Sequence, residues 1–409
     1  MDYPKLRTIE AFPVEGENGK RILIRDPLNY AKDPLILSYP IYFIISHFDG
    51  YHSLLDIQEA FARQFGDILF GDQLREIVQQ LDEHYYLDSE HFAQLQQGIV
   101  DAFRCSPVRE MAHADTCYSS QPEVFTEQLT SFFHETDGPG LPQVHELQQP
   151  PVRGIIAPHI DLRVGGLCYA WAYKELAERC DADLFILLGT SHYGMGHLFV
   201  TTEKDYATPL GPVKTNREFI TALRNTYDGD LFADELLHRT EHSLEFQTLF
   251  LQYLFGGKRE FSIVPLLVSS FHHLIFSKTP PTQDARVASF LTALRETIAH
   301  YGHKVCFIAG VDFAHVGQKF GDQGQLTQEF LDWVEAEDHQ LIGALEHLDH
   351  ETFFQQIAKD GDRRRVCGFS PMYTFLHLVE ATEGKLLRYD RSLDPATQSS
   401  VSFASLAFY

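Results

Sequence analysis

Arg153-Gly-Ile-Ile-Ala-Pro-His159 is the stretch on which the reading of this chain turns. Gly154 to Ala157 is a short apolar run that meets a proline and then a histidine, the pattern of a buried strand that delivers an imidazole at its carboxyl end. The pattern occurs twice more, in Leu184-Phe-Ile-Leu-Leu-Gly-Thr-Ser-His192 and in Val305-Cys-Phe-Ile-Ala-Gly-Val-Asp-Phe-Ala-His315. In an open parallel sheet, ligands gather in the crevice outside the strand carboxyl ends. Strands that end in His159, in His192 and in Asp312 with His315 therefore predict one shared polar site.

Around these runs, apolar strands alternate with helical stretches. Gly165-Gly166 turns the first strand into a helix through Cys168, Trp171, Tyr173 and Leu176. Helices are read at Phe219 to Arg224, Ser243 to Leu254, Ala285 to His300, Thr327 to Leu348 and Met372 to Glu380, and a further strand at Phe261 to Val268. Arg388-Tyr-Asp-Arg and Ser399 to Phe408 are read as edge strands. Alternation of this kind without an internal repeat predicts one α/β domain over residues 151–409, a central mixed, mostly parallel sheet flanked by helices.

Residues 1–100 read as a separate small domain. Ile22 to Tyr30 is a strand or turn, Leu35 to Phe48 a buried helix despite Pro40, and Leu54 to Phe65 a helix capped at His52-Ser53 and stopped by Gly66. A third helix starts near Asp72. A strand followed by three helices, the last two spaced like a helix-turn-helix, predicts a winged-helix-like domain. Between Ile41 and Val100 ten acidic residues stand against two arginines and no lysine, which suits protein docking and not a DNA-recognition helix. Residues 101–150, marked by Pro107 and by the turn residues from Thr136 to Pro142, read as a connector.

At 409 residues, 44% hydrophobic and 22% charged, the chain has the composition of a globular protein with more than one domain. A net charge of -24 excludes nucleic acid or an anionic membrane surface as the main partner, since both would be repelled. No apolar run is long enough for a membrane span and the amino terminus lacks a signal-peptide core, so a cytoplasmic location is expected. The six cysteines show no Cys-x-x-Cys pair and read as reduced thiols.

His159 and His192 occupy corresponding strand-end places. His242, in Arg239-Thr-Glu-His-Ser-Leu-Glu-Phe-Gln, opens a helix, where the positive end of the dipole favours the neutral imidazole that a base or a metal ligand needs. Glu241 and Glu245 either orient it or are the helix's own first-turn acids. Asp312 is a metal ligand or the hydrogen-bond partner of one; His315 is a ligand, a base or a polar neighbour. Imidazole with carboxylate suits iron(II), zinc or copper. His197, His272-His273, His347 and His350 are read as surface histidines.

Gly154-Ile-Ile-Ala-Pro-His159, Gly165-Gly166, Leu187-Leu-Gly-Thr-Ser-His192, Thr208-Pro-Leu-Gly211, Glu241-His-Ser-Leu-Glu245, Ile263 to Val268, Asp312-Phe-Ala-His315 and Cys367-Gly368 resemble, in this order, the motifs of Memo-like proteins, called AmmeMemoRadiSam system protein B in bacteria. The resemblance covers residues 151–409. It implies a fold similar to the class III extradiol dioxygenases, which are non-haem iron enzymes, with His159, His192 and His242 lining the pocket. It also implies a role beside AMMECR-type and radical SAM proteins. In that scheme His159, His192 and a third group, His242 or Asp312, hold iron(II), while His242 or His315 moves the substrate proton. Animal Memo proteins carry cysteine in an Asp-Phe-Cys-His motif where this chain has Ala314. The resemblance thus implies a missing soft ligand, a weaker case for copper(I), and a third ligand from His242, Asp312 or His315. The competing reading is a non-catalytic pocket for a peptide or small ligand. The first domain resembles the PqqD-like peptide-chaperone domains through Tyr42 to Gly50 and Leu81 to Leu87.

Overall fold

The structure, a computed structural model, describes residues 1–16, 19–143, 149–194, 196–302 and 304–409. Contacts divide it into two units, Met1–Cys105 and Ser106–Tyr409.

The first unit opens with an antiparallel meander of β1 (Glu10–Gly16), β2 (Gly19–Arg25) and β3 (Leu35–Leu37), followed by α1 (Tyr39–Ile45), α2 (Leu54–Phe65), α3 (Gly71–Glu83) and α4 (Glu90–Cys105). The helix expected from Leu35 is shorter because residues 35–37 pair with β2, and Pro40 sits in the first helical turn, where a missing N–H costs nothing. Ser53 caps α2 through a reciprocal bond with Asp56, and Gly66 ends it in the left-handed conformation. Ile24, Ile44, Ile57, Leu74, Leu81 and Leu87 form this unit's own core.

The second unit runs β4 (Val108–Arg109), α5 (Pro122–His134), β5 (Gly154–Ala157), α6 (Leu162–Arg179), β6 (Leu184–Thr190), β7 (Phe199–Thr201), β8 (Asp205–Tyr206), α7 (Arg217–Thr226) and α8 (His242–Phe255). It continues with β9 (Ser262–Val268), α9 (His272–Phe276), α10 (Ala285–Tyr301), β10 (Val305–Gly310), β11 (His315–Gly317), α11 (Gln328–Glu346), α12 (His350–Ala358), α13 (Phe369–Leu378), β12 (Gly384–Asp394) and β13 (Ser399–Phe408). The stretch read as a connector therefore belongs from residue 106 onward to this unit, with α5 packed on α6.

The sheet is ordered β11-β13-β5-β10-β6-β9-β7, and β12 pairs with β13. Its centre, β5-β10-β6-β9, is parallel, and its margins, β13 on β5 and β7 on β9, are antiparallel. Read as an edge strand, β13 instead lies inside the sheet: Leu406 to Phe408 pair with β5 while the strand also pairs along β12. Alternate residues of the central strands feed two cores. Ile186, Leu188 and Ala309 face α7, α10 and α13, whereas Phe185, Leu187 and Ile308 face α5, α6 and α8. Burial on both faces is why these strands read as unbroken apolar runs. Among the described residues no helix is long and apolar enough to cross a membrane.

The register sets the site. Ala157, Gly310 and Gly189 lie in one row across β5, β10 and β6, so the residues just past them emerge together at the sheet's carboxyl rim. A Cβ on Gly189 would stand 2.5 Å from Ser243 Oγ, and one on Gly310 2.5 Å from the Ser243 carbonyl oxygen. Two glycines at the strand ends thus let the first turn of α8 settle onto the rim. Ser243 Oγ then donates to Thr190 O at 2.9 Å and Gln247 Nε2 to Pro158 O at 2.9 Å.

Candidate metal centre

His159, His192 and His242 converge at this rim, their ligand nitrogens all within 4.8 Å of one another. Ring centroids are 4.8 Å apart for His159 and His192, 5.2 Å for His159 and His242, and 4.6 Å for His192 and His242. His159 is sealed, with its side chain 2% exposed, while those of His192 and His242 are 27% and 31% exposed, so the cluster opens on their side.

Two of the imidazoles are oriented from behind. His159 Nδ1 donates to Gly310 O at 3.0 Å, which leaves Nε2 for a ligand. His192 Nδ1 meets Glu241 Oε1 at 3.0 Å, and its backbone N–H donates to Glu241 Oε2 at 3.0 Å. The same Glu241 Oε1 accepts the Ser243 N–H at 3.0 Å as the cap of α8 and lies 3.3 Å from His242 Nδ1. One buried carboxylate therefore aligns the His192 ring and starts the helix that carries His242. Burial pushes Glu241 up, but His192 and His242 outweigh it and hold the carboxyl well below its usual range. Burial holds His159 and His242 well below the ordinary imidazole value, reinforced by His192 beside each and opposed by Glu241. Both are the neutral form that ligation requires.

Asp312 flanks His159, accepting the His159 N–H at 3.0 Å, with Oδ2 3.6 Å from His159 Nε2. It is outside the converging set. Its carboxyl is pushed up to about 6 by burial. The folded chain thus holds this proton more tightly than the unfolded chain does, so the group costs nothing below about pH 4 and progressively more up to about pH 6. Asp312→Asn, which keeps the acceptor oxygen, is expected to stabilise the metal-free protein at pH 7 by about 1–3 kcal/mol and to change nothing at pH 4. Urea unfolding at the two pH values measures this, and an equal gain at both would contradict it.

His315 also lies outside the set. Its Nδ1 meets Phe313 O at 3.1 Å, its ring stands edge-on to Phe320, and burial lowers its pKa against the opposing pull of Asp312. Position 314 supplies no thiol, but a cysteine elsewhere in the sequence approaches the cluster. Ala314 is buried in an apolar cluster with Val316 and Val334, while Cys367 Sγ comes within 3.3 Å of His159 Nε2. Gly368 permits this, since a Cβ there would stand 2.7 Å from Asp312 O. The thiol is protonated in the absence of metal, because burial raises its pKa well above the ordinary value.

Glu245 does not serve the cluster. Its two oxygens take Arg109 Nη1, the Ala112 and His113 N–H groups at 3.2 and 3.1 Å, and the Tyr118 hydroxyl. Arg109, fully buried, also donates to His238 O at 2.8 Å and Glu241 O at 2.9 Å. Residues 109–118 are thereby strapped to α8, and nothing in their own sequence announced it.

A family model described as "Memo-like protein" matches residues 109–407, starting at Arg109 itself. The chain belongs to the Memo-like family. A MEMO1 family protein of Aquifex aeolicus is 31% identical over 409 residues, 99% of this chain and all of the relative. One of Methanopyrus kandleri is 29% identical over 73% of this chain and 98% of its own length, and one of Thermotoga neapolitana 30% identical over 66% and 88%. The Aquifex Memo-like protein thus matches both units, and the Methanopyrus one is almost fully matched by only part of this chain.

The donor set fits a transition metal. Three imidazoles, a nearby carboxylate and a thiol suit iron(II), zinc or copper. Bonds of about 2.1 Å place two nitrogens on one ion at most roughly 4.2 Å apart, so the rings need only small tilts to close on it.

Proposed function

We propose that this Memo-like protein is a metal-dependent redox enzyme that holds iron(II) through His159, His192 and His242. The observation that carries this reading is the convergence of three imidazoles, two of them oriented from behind by a carbonyl or a carboxylate and the third carried at the start of a helix which that carboxylate caps. Iron(II) would supply a binding place for dioxygen and a substrate oxygen, as in the dioxygenase-like scheme, the electrons that reduce dioxygen coming from the substrate. His159 and Asp312 form the closed floor of the pocket, Cys367 adds a soft donor beside His159, and the His192–His242 side admits substrate. His315, neutral and outside the ligand set, is the group left to accept a substrate proton. Exposed Tyr51, Leu55, Ile68 and Phe70 on an acidic first unit favour docking to an AMMECR-type or radical SAM partner. Recovery of such a partner with the tagged full chain is the expected result; its absence would remove the docking role.

His159→Ala is expected to lower iron(II) affinity at least 100-fold, because it removes a ligand whose orientation is fixed at both ends. Anaerobic reconstitution followed by metal analysis of the desalted protein tests it. Stoichiometric iron in the variant, or none in the unmodified chain, would defeat the reading. A pocket that keeps iron but turns over no substrate with dioxygen would favour the non-catalytic alternative.

A further inference from the structure

The strap over residues 109–118 ends in a feature that the iron reading does not use. His113 stands beside His242, with ring centroids 5.6 Å apart and the planes at 73°, and its other aromatic neighbour is Phe246 at 5.8 Å. Its backbone is pinned by Glu245 through the His113 and Ala112 N–H groups, and the strap is tied again by Tyr118 and by Arg109. An imidazole at a loop position is ordinarily mobile; this one is anchored on both sides.

The ring itself is also oriented. His113 Nε2 lies 2.9 Å from Thr240 O, and a carbonyl only accepts, so Nε2 carries a proton and in the neutral ring Nδ1 is the acceptor. Among the described residues nothing donates to that nitrogen. His113 is half-buried, and it neighbours His242, one of the two rings on the cluster's open side. A fixed, unspent acceptor beside an open coordination face is the arrangement by which a site selects a ligand for a donor group and rejects one without it.

We infer that His113 is a ligand-recognition residue of this centre. Its Nδ1 accepts a hydrogen bond from an N–H or O–H group carried by a small oxygen-donor ligand bound on the His242 side. The strap is what fixes it there, which gives the Arg109–Glu245 clamp a role in specificity as well as in folding. The inference rests on the metal-site reading given above, and the experiment separates the two.

Full-length protein is loaded with cobalt(II), whose visible spectrum reports ligand binding. It is then titrated with acetohydroxamate, which bears an N–H next to its metal-binding oxygens, and with N-methylacetohydroxamate, which lacks it. The ratio of the two affinities is expected to fall about tenfold in His113→Ala, with cobalt affinity unchanged, one neutral hydrogen bond being of that size. His113→Asn, whose side-chain oxygen offers an acceptor in nearly the same place, is expected to restore most of the ratio. An unaltered ratio in His113→Ala, or equal weakening of both probes, overturns the inference while leaving the metal site standing. Failure of the unmodified chain to take up cobalt overturns both.

Discussion

Arg109→Met is expected to destabilise the second unit by about 3–5 kcal/mol, the penalty for leaving a buried carboxylate without its counter-charge. The guanidinium is fully buried and spends itself on Glu245 and on the carbonyls of Glu110, His238 and Glu241. Burial pushes Glu245 up, and the Arg109 charge with the Tyr118 hydroxyl bond outweighs it and holds the carboxyl below the ordinary value. Methionine fills much of the volume and supplies none of this. A second substitution shows whether charge or packing is responsible. Glu245→Met would strand the Tyr118 hydroxyl and two N–H donors, so it is uninformative; Glu245→Gln removes the charge and keeps one acceptor, although its NH2 group then faces the Ala112 or the His113 N–H, a smaller cost than a stranded charge. Arg109→Met with Glu245→Gln is therefore expected to recover about 1–3 kcal/mol relative to Arg109→Met alone, measured by denaturant unfolding. If the double variant is no more stable than the single one, the clamp acts by packing and the electrostatic account fails.

That clamp also marks the limit of what the chain discloses before folding. The central strands were legible because burial on two faces writes continuous apolar runs, and His159 and His192 were legible because they follow those runs directly. Strand order was not needed to place them at one rim; only their parallel direction was. His242 required one more inference, that a helix start would land there, and the glycines that allow it, Gly189 and Gly310, look in sequence like ordinary strand ends. The partners were a different matter. Arg109 meets Glu245 across 136 residues and Cys367 meets His159 across 208, and neither side of either pair has a local pattern that seeks the other. Residues 106–118 show no apolar periodicity, because their burial combines the Arg109–Glu245 ion pair with scattered contacts of Met111, Ala114, Cys117 and Tyr118 to the core, so they read as a connector.

Glu241→Gln is expected to lower metal affinity 10- to 100-fold, although the residue need not touch the ion. The argument lies in the donors that surround it. Oε1 receives the His192 Nδ1–H and the Ser243 N–H, and Oε2 receives the His192 N–H. A carboxylate can face all three, since both of its oxygens accept; an amide cannot. Whichever way the glutamine side chain is turned, its NH2 group meets an N–H, and one side of the arrangement must give way. If the side near His192 yields, the ring loses the partner that fixes its tautomer and presents Nε2 to the pocket. If the helix side yields, the cap of α8 is lost and His242 shifts with the first turn. Either outcome weakens a ligand, so the affinity loss does not depend on which rotamer the glutamine adopts, and stability falls by about 1–3 kcal/mol alongside it. Competition against a chelating dye measures the first quantity and urea unfolding the second. Affinity within threefold of the unmodified chain would mean that the rings are held by the metal itself and not by Glu241, and the picture of a pocket organised before the ion arrives would have to be given up.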